Sequence, residues 1–278
     1  TSRGLGDVYK RQIYDYVYET EGEEIKNFLG EIWEAMKESI CFGLNAEGII
    51  PGKLQLSKRA KSIYNNKIEN EPTEVKRTRL LTAYAYAVSE TNASGGEIVT
   101  APTCGSCGVL PATLYYLQKE DKYTDEEIIN ALATAGIIGN IVKTNASISG
   151  AECGCQAEIG TACSMAAAAC SQLRKLDIYK IEHAAEIAME HHLGLTCDPI
   201  YGYVQIPCIE RNAVAAIRAI DASNISMLLD ENQKISFDLI TETMYETGKD
   251  LRSHYRETST GGLAKKYCRN KYYNTDME

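Results

Sequence analysis

No run in the 278 residues approaches the roughly 18 consecutive apolar residues of a membrane-spanning helix. Nor is there the charged start, short apolar core and small-residue cleavage site that direct secretion. The chain is therefore expected to be cytoplasmic. Positive charge is in deficit, with 29 Lys and Arg against 38 Asp and Glu and a formal net charge of −9. That balance argues against nucleic acid and anionic membranes as main partners. A small anionic substrate stays open, because local bases or backbone amides can hold one. Strand patterns are sparse, and no linker divides the chain. No Gly-Lys-Ser/Thr ending completes a P-loop. No Cys-x-x-Cys-x-x-Cys run marks an electron-transfer ferredoxin. Histidine is scarce, with four in the chain.

Cysteine, by contrast, occurs ten times. In a cytoplasmic protein such residues are thiols or metal ligands more often than disulfides, and many are small buried hydrophobes. Residues 1–12 lack periodicity, resemble translated adapter sequence and read as a non-native leader, set aside from the fold. Residues 269–278 read as a polar tail. Between them the patterns predict one all-α domain, long enough to bury roughly three-quarters of its unfolded surface.

From Ile13 to Phe42, apolar residues recur at three- and four-residue steps, which predicts one helix with Gly43 as its stop. Trp33 and Cys41 read as packing residues. The bases Lys58, Arg59, Lys61 and Lys67 read as a solvated face. Thr73 is placed to cap a helix running to Val88. Thr124 and Glu127 occupy capping-box positions of a further helix. Its Ala133, Ala135, Gly136 and Gly139 allow another backbone to approach closely. Gln156 to Leu173 is small and apolar, which predicts a central helix buried nearly all round. Cys163 and Cys170 share one face of it and read as core. Asp177 to Leu193 with Gly194 as stop, Ile209 to Leu229, and Ser236 to His254 complete the helices.

Two stretches interrupt this pattern with chemistry-bearing residues. Asn92 to Thr113 is dense in Gly, Ser, Thr and Pro and feeds the apolar run Val109 to Leu117. A Gly-rich loop entering a helix exposes amides at the positive helix end, where a carboxylate or phosphate can sit. Its Cys104 and Cys107 form a Cys-x-x-Cys pair, open to zinc, redox or packing readings. The second stretch, Ala146 to Asn212, holds Cys155, Cys197 and Cys208, each in a break marked by Gly or Pro. Thiols at helix ends can converge on one point. Cys208 opens a helix, a position that favours thiolate over thiol. His191 precedes Cys197 by a short loop and is a candidate to line the site. Structural zinc takes two close pairs, which Cys104/Cys107 and Cys153/Cys155 approximate, although Cys-x-Cys is tight for one tetrahedral ion. A [4Fe–4S] cluster on three thiolates, with one iron left open, is the competing reading. Spacing alone leaves both open.

Five motifs are long and ordered: Thr-Ala-Pro-Thr-Cys-Gly-Ser-Cys-Gly-Val-Leu-Pro-Ala (100–112), Asn-Ala-Ser-Ile-Ser-Gly-Ala-Glu (145–152), Gly-Cys-Gln (154–156), Glu-His-His-Leu-Gly-Leu-Thr-Cys-Asp-Pro (190–199) and Val-Gln-Ile-Pro-Cys-Ile-Glu-Arg-Asn (204–212). Together they resemble the iron–sulfur-dependent L-serine dehydratases, in particular the alpha chain or catalytic domain, over residues 13–268. The resemblance implies a [4Fe–4S] cluster on Cys155, Cys197 and Cys208. It places Thr100, Pro102, Thr103 and Gly105 at the substrate site, where the loop meets the serine carboxylate, with Asn145 and Ser149 nearby. Cys268 falls where the family has a C-terminal cysteine that reaches into the site when substrate is absent, although the residues after it depart from the family's shorter tail. The implied reaction removes water from L-serine to give pyruvate and ammonia, without pyridoxal phosphate. The family's Ser-Ser-His-Thr motif, which carries a base-like histidine, is absent. A separate beta chain is therefore the expected source of the base, with His191 as the local alternative, and a hetero- or homo-oligomer is expected. Two rival readings are an iron–sulfur cysteine desulfidase and a non-catalytic zinc-binding helical protein.

Overall fold

Helical periodicity in the sequence is realised as helices, with little else. A computed structural model describes residues 12–230 and 232–270. Nearly all of the expected leader and most of the polar tail therefore lie outside the described residues. Within them the chain forms α1 (Ile13–Glu21), α2 (Glu24–Asn45), α3 (Ala60–Asn65), α4 (Thr73–Ala93), α5 (Val109–Asp121), α6 (Asp125–Asn145), α7 (Gly150–Cys153), α8 (Thr161–Leu173), α9 (Ile178–Glu190), α10 (Cys208–Leu228), α11 (Phe237–Asp250) and α12 (Gly262–Arg269). Among the described residues, extended pairing is limited to two isolated bridges, Ile49 with Ser57 and Cys197 with Arg256. The fold is all-α, as expected.

The small, apolar α8 is the centre. Every one of its residues is buried, and it packs against α5, α6, α9 and α10. Such contact requires small side chains on both surfaces. A Cβ on Gly139 of α6 would lie 2.9 Å from Met165 Sδ, so the glycine is what lets α6 and α8 approach. Cys163 and Cys170 are fully buried core residues, and the Cys163 thiol lies 3.2 Å from the Ala215 carbonyl. Burial pushes both thiols up. The Thr124–Glu127 capping box forms as read, the Glu127 amide donating to Thr124 Oγ1 at 3.2 Å.

Several expected boundaries shift for identifiable reasons. The first helix is two. Gly22, at a φ of 83°, ends α1 by donating to the Tyr18 carbonyl. Gly43 does not stop α2, which runs on to Asn45. That glycine instead permits a helix crossing, since its Cβ would fall 2.2 Å from the Ala87 carbonyl oxygen of α4. Thr73 is the first residue of α4 rather than its cap, which is Pro72. α9 closes at Glu190, and Gly194 ends the turns after it. α11 ends at Asp250 because Leu251 turns extended. Trp33 is buried and donates to Asp125, but Cys41 is exposed rather than packed.

One buried charge makes stability depend on pH. On α9, Glu182 is compensated: its carboxylate accepts from the Phe237 amide at the start of α11 at 2.9 Å. Glu186 is not. Its Oε1 is buried without a hydrogen-bond partner, and His183 Nε2 stands 3.8 Å from Oε2. Burial first, then Glu190 and Glu182, push its pKa up to about 7. A carboxyl raised in the folded state takes up a proton on folding between its unfolded and folded pKa values. Stability therefore falls as pH rises from about 4.5 through 7. Glu186→Gln is expected to raise stability by up to about 3 kcal/mol at pH 8, shrinking to under about 1 kcal/mol at pH 5. Denaturant midpoints at the two pH values check this, and an equal gap at both would contradict it.

Candidate metal centre and active site

Cys155 reaches its position through a local break. Gly154 sits at a φ of 77°, where a Cβ would strike the Leu195 carbonyl oxygen at 2.8 Å. The chain then makes one π turn, Gln156–Gly160, before α8. Single π turns of this kind re-aim side chains inside helices. Gln156, fully buried, fixes the turn. Its Nε2 donates to the Cys153 and Met244 carbonyls at 2.9 and 3.0 Å, and its Oε1 accepts from the Gly194 amide at 2.8 Å.

Cys197 is held by the segment after α11. Its amide donates to the Tyr255 carbonyl at 2.7 Å, and its carbonyl accepts from the Thr258 amide at 3.3 Å. The next residue, Asp198, accepts from the Leu263 amide at the start of α12 at 2.5 Å. Gly262 is required there, at a φ of 48°, because a Cβ would fall 1.9 Å from Asp198 Oδ2. Residues 255–263 thus form a clamp on the Cys197 loop that sequence reading did not anticipate.

Cys155 and Cys197 come together, joined by a third residue the sequence reading missed. Among the described residues, the one group of three or more His, Cys, Asp or Glu side chains whose ligand atoms all lie within 4.8 Å is Cys155, Glu158 and Cys197. Cys197 Sγ lies 3.9 Å from Glu158 Oε2. Glu158 stands three residues after Cys155, on the π turn. A lone carboxylate in an otherwise apolar run was the available signal. Cys208, buried at the start of α10, is outside this tight group but near enough for its charge to act on both Cys155 and Glu158. Cys104 is exposed, Cys107 and Cys153 are buried, and none of the three belongs to the group around Cys155.

The proton balance of the thiols is uneven. A hydrogen bond from the Cys197 thiol lowers the Cys155 pKa, and Arg211 adds to this. The same bond, with burial, pushes Cys197 up. Cys208 is pushed up to about 12, first by burial and then by Cys155. The expectation that its helix-start position favours thiolate is therefore corrected: loss of water outweighs the helix amides. Bringing all three to thiolate needs a bound cation, and binding one releases protons. Arg211 is placed to offset the charge. It donates to the Thr196 carbonyl at 2.6 Å and pairs with Asp198 at 3.8 Å.

The loop 100–108 is built beside these thiols. Thr103 opens the one-turn helix Cys104–Ser106 and donates from Oγ1 to Glu158 Oε1 at 2.7 Å. Gly105 leaves room for that carboxylate, since a Cβ would lie 2.9 Å from Oε1. Gly150, beside Ser149, does the same from the other side, 2.5 Å from Oε2 and 3.2 Å from Cys197 Sγ. Asn212, fully buried on α10, ties the loop down. Its Nδ2 donates to the Gly105 and Cys208 carbonyls at 2.8 Å each, and its Oδ1 accepts from the Gly108 amide at 2.8 Å. The Gly108 amide is therefore not free for an anion, as the Gly-rich loop had suggested. Burial holds the Glu158 carboxyl above the usual range, opposed by the Thr103 hydroxyl.

The remaining expected residues lie further out. Thr100 is exposed and Pro102 half-buried on the same loop, and Ser149 caps α7. Asn145 ends α6, is exposed, and makes no hydrogen bond to the thiol group. His191 is exposed, with Nδ1 on the Ile187 carbonyl at 2.8 Å. It lines a groove of about 370 Å³ with Ile159, Leu195, Arg211 and Arg218. Its neighbour His192 is buried, and burial pushes its pKa down to about 4. Cys268 is exposed on α12, which packs against the turn at residues 200–202.

Comparison with known proteins bears on this arrangement. The family model described as "Serine dehydratase alpha chain" matches residues 7–264. The L-serine dehydratase of Haemophilus influenzae is 48% identical over 250 residues, covering 88% of this chain and 54% of its own length. L-serine dehydratase 2 of Escherichia coli is 47% identical over 251 residues, covering 88% and 54%. The L-serine dehydratase of Helicobacter pylori strain 26695 is 47% identical over 242 residues, covering 84% and 53%. The chain spans about half the length of these relatives.

Proposed function

This chain belongs to the serine dehydratase alpha chain family, and from that premise we propose that it is the metal- and substrate-binding half of an enzyme converting L-serine to pyruvate and ammonia. The observation that carries this reading is the convergence of buried Cys155 and Cys197 on Glu158 and the Thr103 loop, with buried Cys208 near enough for its charge to act on Cys155 and Glu158. Three buried thiols from three separate breaks, with Arg211 offsetting charge, fit a cluster held by three thiolates. Bound to Cys155, Cys197 and Cys208, a [4Fe–4S] cluster supplies one iron free of protein thiol as a Lewis acid for the substrate hydroxyl.

The rest falls to side chains and backbone. The amides of Cys104 and Gly105 open a one-turn helix and have no intrahelical acceptor. They are the donors we assign to the serine carboxylate, while Thr103, whose hydroxyl donates to Glu158, shapes the loop with Thr100 and Pro102. Ser149 and Asn145 border the approach. Burial of all three thiols keeps water from competing for the metal. Cys268 is assigned to the tail that approaches the site in the absence of substrate.

The proton acceptor is assigned to a further domain or chain corresponding to the half of the relatives that this chain does not span. His191 is the weaker candidate, because it is exposed and its Nδ1 is engaged by a backbone carbonyl. Pyruvate formation from L-serine, L-threonine and L-cysteine, measured anaerobically with and without that second half, tests both assignments. Serine turnover only when both halves are present is expected. Full activity of this chain alone would overturn the assignment of the base. Release of sulfide from cysteine in preference to serine turnover would favour a desulfidase.

A further inference from the structure

The family reading gives no role to Glu158, yet much of the local architecture is shaped around it. Its two oxygens are engaged by different partners. Oε1 accepts from Thr103 at 2.7 Å, and Oε2 lies 3.9 Å from Cys197 Sγ. Two glycines from different segments, Gly105 and Gly150, vacate the volume around the carboxylate. The residue sits on the π turn that also carries Cys155. One side chain therefore links the loop at 100–108 with two of the three thiols.

A carboxylate here has two possible duties, and the chemistry separates them. As a fourth protein ligand it would close the one coordination position that a substrate hydroxyl needs, whereas catalytic metal sites keep such a position open. Its better oxygen is also already committed to Thr103 at a short, charge-assisted distance. We propose that Glu158 is a positioning residue: it holds the Thr103 hydroxyl, and with it the substrate loop, in register with the thiol centre, and so sets the affinity for the serine carboxylate. The inference rests on the functional reading above. Glu158 acts through Thr103, so the two residues should behave as one unit.

A double-mutant cycle on the anaerobically reconstituted chain tests this, with serine titrated against the visible absorption of the cluster. Iron and sulfide content and melting temperature are measured alongside. Thr103→Val and Glu158→Ala are each expected to weaken serine binding about tenfold while iron content stays at the parent level. The double variant is expected to be no worse than about either single one, because the second change removes an interaction already lost. Glu158→Gln and Thr103→Ser keep an acceptor and a hydroxyl, and should bind within about threefold of the parent. Multiplicative losses, or loss of iron on Glu158→Ala or Glu158→Gln, would overturn the inference, the latter by making Glu158 a ligand. Unchanged serine binding in Thr103→Val overturns it as well, and needs no Glu158 variant to fold. A parent chain that holds no iron–sulfur cluster, or whose spectrum ignores serine, instead sinks the functional reading on which the inference stands.

Discussion

Cys155→Ala is expected to leave a folded protein with little iron and, assayed together with the second half, to lower serine turnover by more than about 100-fold, since even residues beyond the ligands of a metal typically cost 10- to 100-fold. Cys155 is the thiol closest to the charged form in the absence of metal, because Cys197 donates to it and Arg211 stands nearby. Its loss removes the only one of the three thiols whose pKa is lowered rather than raised. It also leaves the raised Cys197 and Cys208 without the neighbour around which they converge. Cys163→Ala is the matched control. That thiol is as deeply buried, but its contact is with the Ala215 carbonyl in the α8–α10 interface. It should keep the parent's iron and lose about 1 kcal/mol of stability. Iron content and melting temperature of the two variants check the contrast. Equal iron in both would remove Cys155 from the centre.

Asn212→Leu is expected to cost about 3–5 kcal/mol of stability and to lower the melting temperature by about 10 °C. Leucine keeps the heavy-atom branching of asparagine but is bulkier and cannot replace its three hydrogen bonds. The Gly108 amide and the Gly105 carbonyl lose their buried partner, and Cys208 loses the side chain that braces its carbonyl. Each buried group left unpaired carries a penalty of roughly 1–3 kcal/mol. The change should also weaken substrate binding, because it frees the loop 103–108 from α10. Thermal unfolding of the iron-free chain measures the first effect. A shift of under about 2 °C would mean that water or a rearranged loop satisfies these groups.

The sequence carries the parts of this molecule that depend on local pattern. The all-apolar run in α8, the Thr124–Glu127 box and the breaks around Cys155, Cys197 and Cys208 are legible because helix period, capping chemistry and Gly or Pro punctuation act within a few residues. Gly43 misleads for the same reason. A glycine near the end of an apolar pattern reads as a stop, and only the crossing of α4 at Ala87 shows its actual use. Glu158 and Asn212 lie in or beside these motifs, but no local pattern gives them a role. Their partners, Thr103 and Gly108, are far away in the chain and meet them only after α4, α5, α8 and α10 have packed. The clamp on Cys197 by residues 255–263 is hidden in the same way. Cys208 shows a different limit: helix position argues for thiolate, but the amount of water removed by folding decides the outcome.

Whether Cys155, Cys197 and Cys208 hold an iron–sulfur cluster is decided by anaerobic purification followed by metal and acid-labile sulfide analysis with a visible spectrum. A brown protein with broad absorption near ~400 nm and about four iron and four sulfide per chain is expected. A colourless protein carrying one zinc would contradict it.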